Sequence, residues 1–336
     1  SGAESQWVDG DFVRFRYGLP EKIGGWNQLT AGSLTLPGVA RSQHSWTSIA
    51  GEKYAAIGTS QGLFLYYGND FYDISPLATA ITGFTFTTTN NSATVTINKT
   101  SHGLTAGRYF TFTSVTLPGS GTGYVAADFT GTPYEVVTAS TNSFTITMAS
   151  VESGAGITAA GSATVNPYES VGPTFQTAGY GWGTDTWSTS TWGTERTTSD
   201  VILDPGIWSL DNFGEVLVAT IAGGKTFTWN AGASNARTIR ASTTTTNFST
   251  SNNPTSSRLT QVSDRDRHLF HFGTETTIGD TSTVDPMFIR FSNQEDLNTY
   301  TPTSVNTAGS FRLDKGNKIV GAVSGKDYTL VLTDSS

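Results

Sequence analysis

Strict alternation of apolar and hydroxyl-bearing residues runs through Ala93-Thr94-Val95-Thr96-Ile97, Tyr109-Phe110-Thr111-Phe112 and Ser143-Phe144-Thr145-Ile146-Thr147-Met148. A period of two places one side of each segment in a core and the other in water, which predicts half-buried β-strands. The flanking regions have a different texture, with short apolar runs punctuated by Gly turns. At the N-terminal end, Phe12-Val13-Arg14-Phe15-Arg16 follows an Asp9-Gly10 turn. Tyr17-Gly18-Leu19-Pro20 reads as a turn and Lys22-Ile23-Gly24-Gly25-Trp26 as the return of a hairpin. A meander follows: Ser45–Ile49, Lys53–Thr59, Leu63–Tyr67 and Phe71–Ile74, joined by Ser60-Gln61-Gly62 and Gly68-Asn69-Asp70.

The same grammar returns beyond residue 205. Ile207–Asp211, Glu215–Thr220 and Thr226–Asn230 are followed by Arg258–Val262, Arg267–Gly273, Met287–Phe291, Ile319–Val323 and Tyr328–Thr333. Strongly apolar strands starting near Tyr54, Val216, His268 and Tyr328 anchor four units. The spacings from Val216 to His268 and on to Tyr328 are 52 and 60 residues, against roughly 40–50 in regular propeller blades. Radially repeated sheets leave few exposed edges. The expected fold is therefore all-β, an irregular β-propeller with an inserted small β-sandwich or barrel domain; an array of sandwiches is the alternative. The expected divisions are 1–79 for the hairpin and first blades, 80–168 for the insertion, 169–200 for a Gly/Trp-rich extended arm, and 201–336 for further blades. The chain starts without Met and stops on a strand with no following partner, so it reads as part of a longer protein.

Composition narrows the function classes. Charged residues make up 14% of the 336, against about 25% in ordinary soluble domains, while aromatics reach 12%. The scarcity of Glu, Lys and Ala-type helix surfaces supports strands throughout. With no Cys, disulfides, thiolate metal sites and cysteine nucleophiles are excluded. A net charge of −8 without basic clusters argues against a protein that grips nucleic acid. No stretch approaches the roughly 18 apolar residues of a membrane span.

Candidate chemistry is sparse. His268 and His271, three apart in a strand, face opposite ways and cannot share a metal. Asp264-Arg265-Asp266-Arg267 reads as self-paired charge. Asp9-Gly10-Asp11 and Asp280…Asp285 are fragments of oxygen-ligand loops, short of a calcium site. Glu21, Asp211, Glu215, Glu295 and Asp296 are scattered and read as turn or salt-bridge residues rather than a glycosidase pair. No phosphate-cradling loop or Gly-x-Ser-x-Gly elbow occurs. No catalytic residue, metal or cofactor is expected, and the protein reads as a non-enzyme. Tyr180, Trp182, Trp187 and Trp192, spaced by Gly and Thr, are the candidate interface residues, because large rings in an extended arm favour burial against another surface. A sugar-binding platform is the sharper alternative for them.

Several longer strings carry a resemblance. These are Val8 through Trp26, Trp208-Ser209-Leu210-Asp211-Asn212-Phe213-Gly214-Glu215, Ile289-Arg290-Phe291-Ser292-Asn293-Gln294-Glu295-Asp296, and Ala308-Gly309-Ser310-Phe311-Arg312-Leu313 followed by Leu332-Thr333-Asp334. Together, over roughly 1–75 and 200–336, the chain resembles the tail nozzle (tail tubular) proteins of short-tailed bacteriophages. Ser101-His102-Gly103-Leu104-Thr105-Ala106-Gly107 separately resembles a small β-module common in phage virion proteins. The resemblance implies a virion structural protein forming a homohexameric ring below a tail adaptor, with tail fibre or needle proteins as further neighbours. DNA would pass through without specific binding, along a lumen lined by acidic and hydroxyl groups, and no catalytic residues are implied. A receptor- or carbohydrate-binding adhesin is the second expectation, and a propeller glycosidase the third.

Overall fold

The computed structural model describes residues 11–25, 36–174, 204–231, 237, 239–243 and 253–335. It divides into two compact units, 1–33 and 34–336. The first contains a hairpin of β1 (Val13–Arg16) and β2 (Leu19–Lys22), paired with Arg14 opposite Glu21 and Phe15 opposite Pro20. The turn is tighter than the sequence suggested. Tyr17 and Gly18 both have positive φ, 52° and 81°, the two-residue geometry whose twist matches antiparallel strands. Leu19 and Pro20 therefore already belong to the returning strand, which begins three residues before Lys22.

The larger unit is almost all β, a series of antiparallel meander sheets interrupted by a small β-domain. Its first sheet is a meander of β3 (Ala40–Thr47), β4 (Lys53–Thr59), β5 (Leu63–Tyr67) and β6 (Asp70–Asp73). After the insertion come a three-stranded sheet, β14 (Trp208–Phe213), β15 (Val216–Ile221) and β16 (Thr226–Asn230), and a four-stranded one. The latter comprises β17 (Ser257–Val262), β18 (Leu269–Thr274), β19 (Phe288–Phe291) and β20 (Gly309–Arg312). A pair, β21 (Ile319–Ser324) and β22 (Thr329–Thr333), closes the described chain. The apolar strands that anchored the four sequence units are β4, β15, β18 and β22, the second strand of each sheet.

Successive sheets pack face to face, and β15 shows why its sequence is a continuous apolar run. Leu217, Ala219 and Ile221 join Trp46, Tyr54, Leu63 and Trp229 in a core between the first two sheets. Val216 and Val218 point the other way, to Val262, Leu269 and Leu297 of the third. A strand covered on both faces has no wet side to alternate toward. Thr220 sits in this buried strand because its hydroxyl meets Thr226 at 2.9 Å and Thr260 at 2.7 Å. Phe272, Met287, Ile289 and Ile319 form the core between the third and fourth sheets.

The insertion spans β7 (Ile81–Thr87), β8 (Thr94–Asn98), β9 (Tyr109–Thr116), β10 (Pro133–Glu135), β11 (Thr138–Ala139), β12 (Ser143–Thr147) and β13 (Ala160–Pro167). These form one seven-stranded sheet in the order β10-β9-β13-β7-β8-β12-β11, curled so that β10 approaches β12. The inward positions of the alternating pattern, Phe84, Phe86, Val95, Ile97, Phe110, Phe144 and Ile146, make a core of its own. A single helical turn, α1 (Ala126–Phe129), drops Phe129 onto Phe86 and Phe112, with ring centroids 5.0 and 5.6 Å away.

Candidate functional site

The first strands of four successive sheets border one space. His44 on β3, Trp208–Asp211 on β14, Arg258–Gln261 on β17 and Val320–Ala322 on β21 line a common space of about 830 Å³. A concave space bordered by several elements is where a ligand would be held. Its most buried carboxylate, Asp211, is engaged, whereas Gln261 Oε1 is buried without a hydrogen-bond partner among the described residues. Asp211 accepts from the Val262 N–H at 2.7 Å and the Asn212 N–H at 2.8 Å. Burial raises its carboxyl above the ordinary range, against the opposing effect of those two bonds. His44 Nε2 meets Asn212 Oδ1 at 2.8 Å and lies 3.9 Å from Asp211. Arg258 stands 4.0 Å from the exposed Asp204. A glycosidase needs a free acid opposite a free nucleophile or base. Asp211 is instead a tie between the second and third sheets, a larger structural part than the turn or salt-bridge role its isolation in sequence suggested.

A second grouping has the elements of a nucleophile and base. Ser257 Oγ lies 2.8 Å from His271 Nδ1, and His271 Nε2 lies 3.0 Å from the Tyr300 hydroxyl. Both ring nitrogens are thus occupied and the imidazole is fully buried. Burial, reinforced by the nearby Arg290 guanidinium, pushes its pKa down to about 3. A neutral, inaccessible imidazole holds the third sheet together and cannot meet a substrate. His268 lies apart from it, against Phe270 and Phe291, with Nδ1 2.7 Å from the Ser292 carbonyl.

Most of the remaining sequence candidates are engaged elsewhere in the fold, and Asp9 and Gly10 lie outside the described residues. Asp280 caps a turn by accepting from Ser282 N–H at 3.0 Å, and Asp285 holds Met287 N–H at 2.9 Å and Arg312 at 2.6 Å. The charges of 264–267 reach outward rather than pairing among themselves: Arg265 to Asp327 at 3.4 Å and Arg267 to Glu295 at 3.1 Å. Arginine reach exceeds the spacing of adjacent residues, and the turn before β18 aims these side chains at other loops. Glu21 pairs with Arg14 at 3.1 Å, Glu215 accepts from Ile49 N–H at 2.9 Å, and Asp296 accepts from Asn298 N–H at 2.7 Å. Among the described residues no group of three or more His, Asp or Glu side chains could hold a metal. No helix among them is long and apolar enough to cross a membrane.

Two clusters escaped sequence reasoning. Asp73, at the end of the first sheet, takes Arg240 Nη2 at 2.8 Å, the Tyr168 hydroxyl and Ser75 N–H at 3.0 Å. Arg240 also donates to the Ser75 carbonyl at 2.9 Å and lies 4.9 Å over the Tyr168 ring. This clamp fastens both chain crossings of the insertion to the first two sheets. Within the insertion, the buried Glu152 collects Thr122 Oγ1 at 2.7 Å, Gly154 N–H at 2.8 Å and Gly123 N–H at 2.5 Å. Neither cluster has a local sequence signature, because Arg240 and Tyr168 reach Asp73, and Thr122 and Gly123 reach Glu152, from distant segments.

Apolar surface is concentrated elsewhere. One face of the β21–β22 pair packs on the third sheet through Ile319, Ala322 and Val331. The other leaves Val323, Leu330 and Leu332 about half exposed, at 58%, 51% and 46%, with Val323 directly opposite Leu330. Beside this pair a groove of about 440 Å³ is floored by Phe270, Phe291, Phe311 and Tyr328 and rimmed by Asp264, Asp266, Lys326 and Asp327. Tyr180, Trp182, Trp187 and Trp192 lie outside the described residues.

No family model matches the chain, and no curated protein matches it. Among solved structures, the phage phi92 endosialidase is similar over 86% of this chain at 15% identity and a TM-score of 0.25. This chain spans 41% of that structure's length. A likeness at that score assigns neither activity nor substrate to this chain.

Proposed function

We propose that the chain is a structural, self-associating virion protein, a wall subunit of the tail nozzle of a short-tailed phage. The observation that carries this reading is the β21–β22 sheet, which buries one face and presents Val323, Leu330 and Leu332 on the other. Contiguous apolar side chains on a paired, ordered sheet are what a subunit interface requires. The strings resembling nozzle proteins point the same way, as does the low charge. A net charge of −8 without basic clusters suits a conduit along which a polyanion must slide without counterion release. The bonds that Asp211 accepts from Val262 and Asn212 weigh against the glycosidase reading.

Multi-angle light scattering and negative-stain microscopy of the full chain test it. The expected result is a closed oligomer with a central hole, most simply a hexamer. A monomer at tens of micromolar that retains whole-cell or glycan binding would replace this reading with a receptor-binding adhesin.

A further inference from the structure

The buried side-chain carbonyl of Gln261 lacks a hydrogen-bond partner among the described residues. An acceptor left unmet in a protein interior is costly, and a ligand that supplies the donor removes the cost. Gln261 borders the space of about 830 Å³, and so does Arg258, three residues earlier on β17. The Arg258 guanidinium stands 4.0 Å from the carboxylate of Asp204, outside hydrogen-bonding distance, and the Asp204 side chain is 65% exposed. The edge of β17 is closed to an added strand. The N–H groups of Thr260 and Val262 donate to Ser209 Oγ at 3.2 Å and to Asp211 at 2.7 Å. An occupant of the space is therefore held by side chains and not by strand pairing.

We infer that this space binds an extended peptide bearing a carboxylate, with Arg258 taking the carboxylate and Gln261 pairing with a peptide group. The spacing fits, since three residues of strand cover roughly 10 Å, the length of about three residues of an extended ligand. The chemistry fits as well. A guanidinium presents a planar fork that matches a carboxylate. A glutamine amide sets an acceptor beside donors, the complement of a peptide N–H and C=O. The walls supply the apolar part of the site: Ile207, Val284 and Val320 border the space with 46%, 38% and 45% of their surface exposed. Ligand sites combine such walls with a few convergent polar groups, and these walls match aliphatic side chains better than the hydroxyls of a saccharide. The two acids beside the site leave room for the incoming carboxylate, because Asp211 is spent on backbone N–H groups and the exposed Asp204 can turn to solvent. The inference goes beyond the self-association reading and does not depend on it.

Titration calorimetry of the full chain with three acetylated tetrapeptides tests it. The first is Val-Thr-Val-Leu with a free C-terminus, the second the same peptide amidated, and the third amidated Val-Glu-Val-Leu. The first and third carry a terminal and a side-chain carboxylate, so the two sources are told apart, and the second carries none. Expected is at least tenfold tighter binding of one carboxylate peptide than of the neutral one. Arg258→Gln should abolish that preference, and Arg258→Lys, which keeps the charge without the fork, should reduce it severalfold. Gln261→Leu should weaken the preferred peptide at least threefold while the preference for a carboxylate remains. Circular dichroism of each variant verifies the fold, and Arg258→Lys carries the test if Arg258→Gln does not fold. Absence of binding by all three peptides at about 1 mM, equal affinity for the acidic and neutral peptides, or a preference untouched by the Arg258 changes overturns the inference. None of these results bears on the oligomeric state, so the two readings fail separately.

Discussion

Removing the Asp73 carboxylate should loosen the joint between the insertion and the meander sheets by a measurable amount. Its oxygens take an arginine, a phenol and a backbone N–H. Burial first, then the carboxylate itself, raises the Tyr168 phenol far above its ordinary value, so it remains a donor across the working pH range. Hydrogen bonds to charged groups contribute about 1.5–3 kcal/mol each in well-buried sites. The Arg240 and Asp73 side chains keep 25% and 14% of their exposure, which trims the Coulombic share through solvent screening. The net expectation is about 2–4 kcal/mol for Asp73→Ala, and about half that for Asp73→Asn, which preserves shape and one acceptor. Coupling between Asp73 and Arg240 should be about 1–2 kcal/mol in a double-mutant cycle with Arg240→Ala.

Tryptophan placement supplies the assay. None of the eight tryptophans lies within 80–168, so indole fluorescence during urea unfolding follows the rest of the chain, while circular dichroism follows both parts. With a urea dependence of about 2–3 kcal/mol per molar, Asp73→Ala should lower the fluorescence midpoint by about 1 M. Cleavage by a nonspecific protease should increase at the two crossings, near 76–80 and 168–174. If the single changes add within about 0.5 kcal/mol in the double variant, the residues are not coupled and the clamp has been misread.

Three further outcomes follow from other parts of the fold. Burial would raise the Glu152 carboxyl, but bonds from Gly123 N–H, Thr88, Thr122 and Gly154 N–H outweigh it and hold the pKa at about 2. That stabilisation is complete above the unfolded value of about 4.5 and disappears as pH falls toward 2; acid titration of Glu152→Gln followed by circular dichroism should show this slope removed. His271, with its pKa pushed down to about 3, favours the folded state fully above about 6.5 and progressively less as pH falls toward 3. His271→Phe should flatten that pH dependence and cost about 2–3 kcal/mol in urea melts at neutral pH, because Ser257 and Tyr300 lose their partner. Gly58→Ala should destabilise by about 1–3 kcal/mol in the same melts, since a Cβ there would meet the Trp208 ring at 2.6 Å where the first two sheets touch.

The fold class was legible because it rests on signals contained in short windows. Thr and aromatic alternation in 93–97 and 143–148 marked half-buried strands, and the runs at Tyr54, Val216, His268 and Tyr328 marked the repeated sheets. Less visible were elements whose residues do not declare themselves. Ala160–Pro167 contains no large aliphatic run, yet β13 lies near the centre of the insertion's sheet, between β9 and β7. The hairpin turn was misplaced because positive φ at Tyr17 cannot be seen in residue type; Gly18 was the usable half of the signal. Polar networks were less legible still. Asp73, Tyr168 and Arg240 are separated by 95 and 72 positions, and only the packing of sheets brings them together. Asp211 looked isolated for the same reason, since the N–H it accepts from is 51 residues away.

The structural role proposed for the chain turns on the destination of its polar groups. A reacting site needs titratable side chains left partly unsatisfied and turned toward a cleft, because a group whose bonds are complete gains nothing from the substrate. In this chain Asp73, Asp211, Glu152 and His271 each accept or share bonds that join separate segments. The apolar surface follows the opposite rule. It is satisfied between successive sheets, through Trp46 with Trp229 and Leu269 with Val218, and then left open on the β21–β22 face. Burying such a face would gain free energy in proportion to the apolar area removed from water. Polar groups spent on binding separate segments together, rather than left free in a cleft, fit the structural role proposed for the chain.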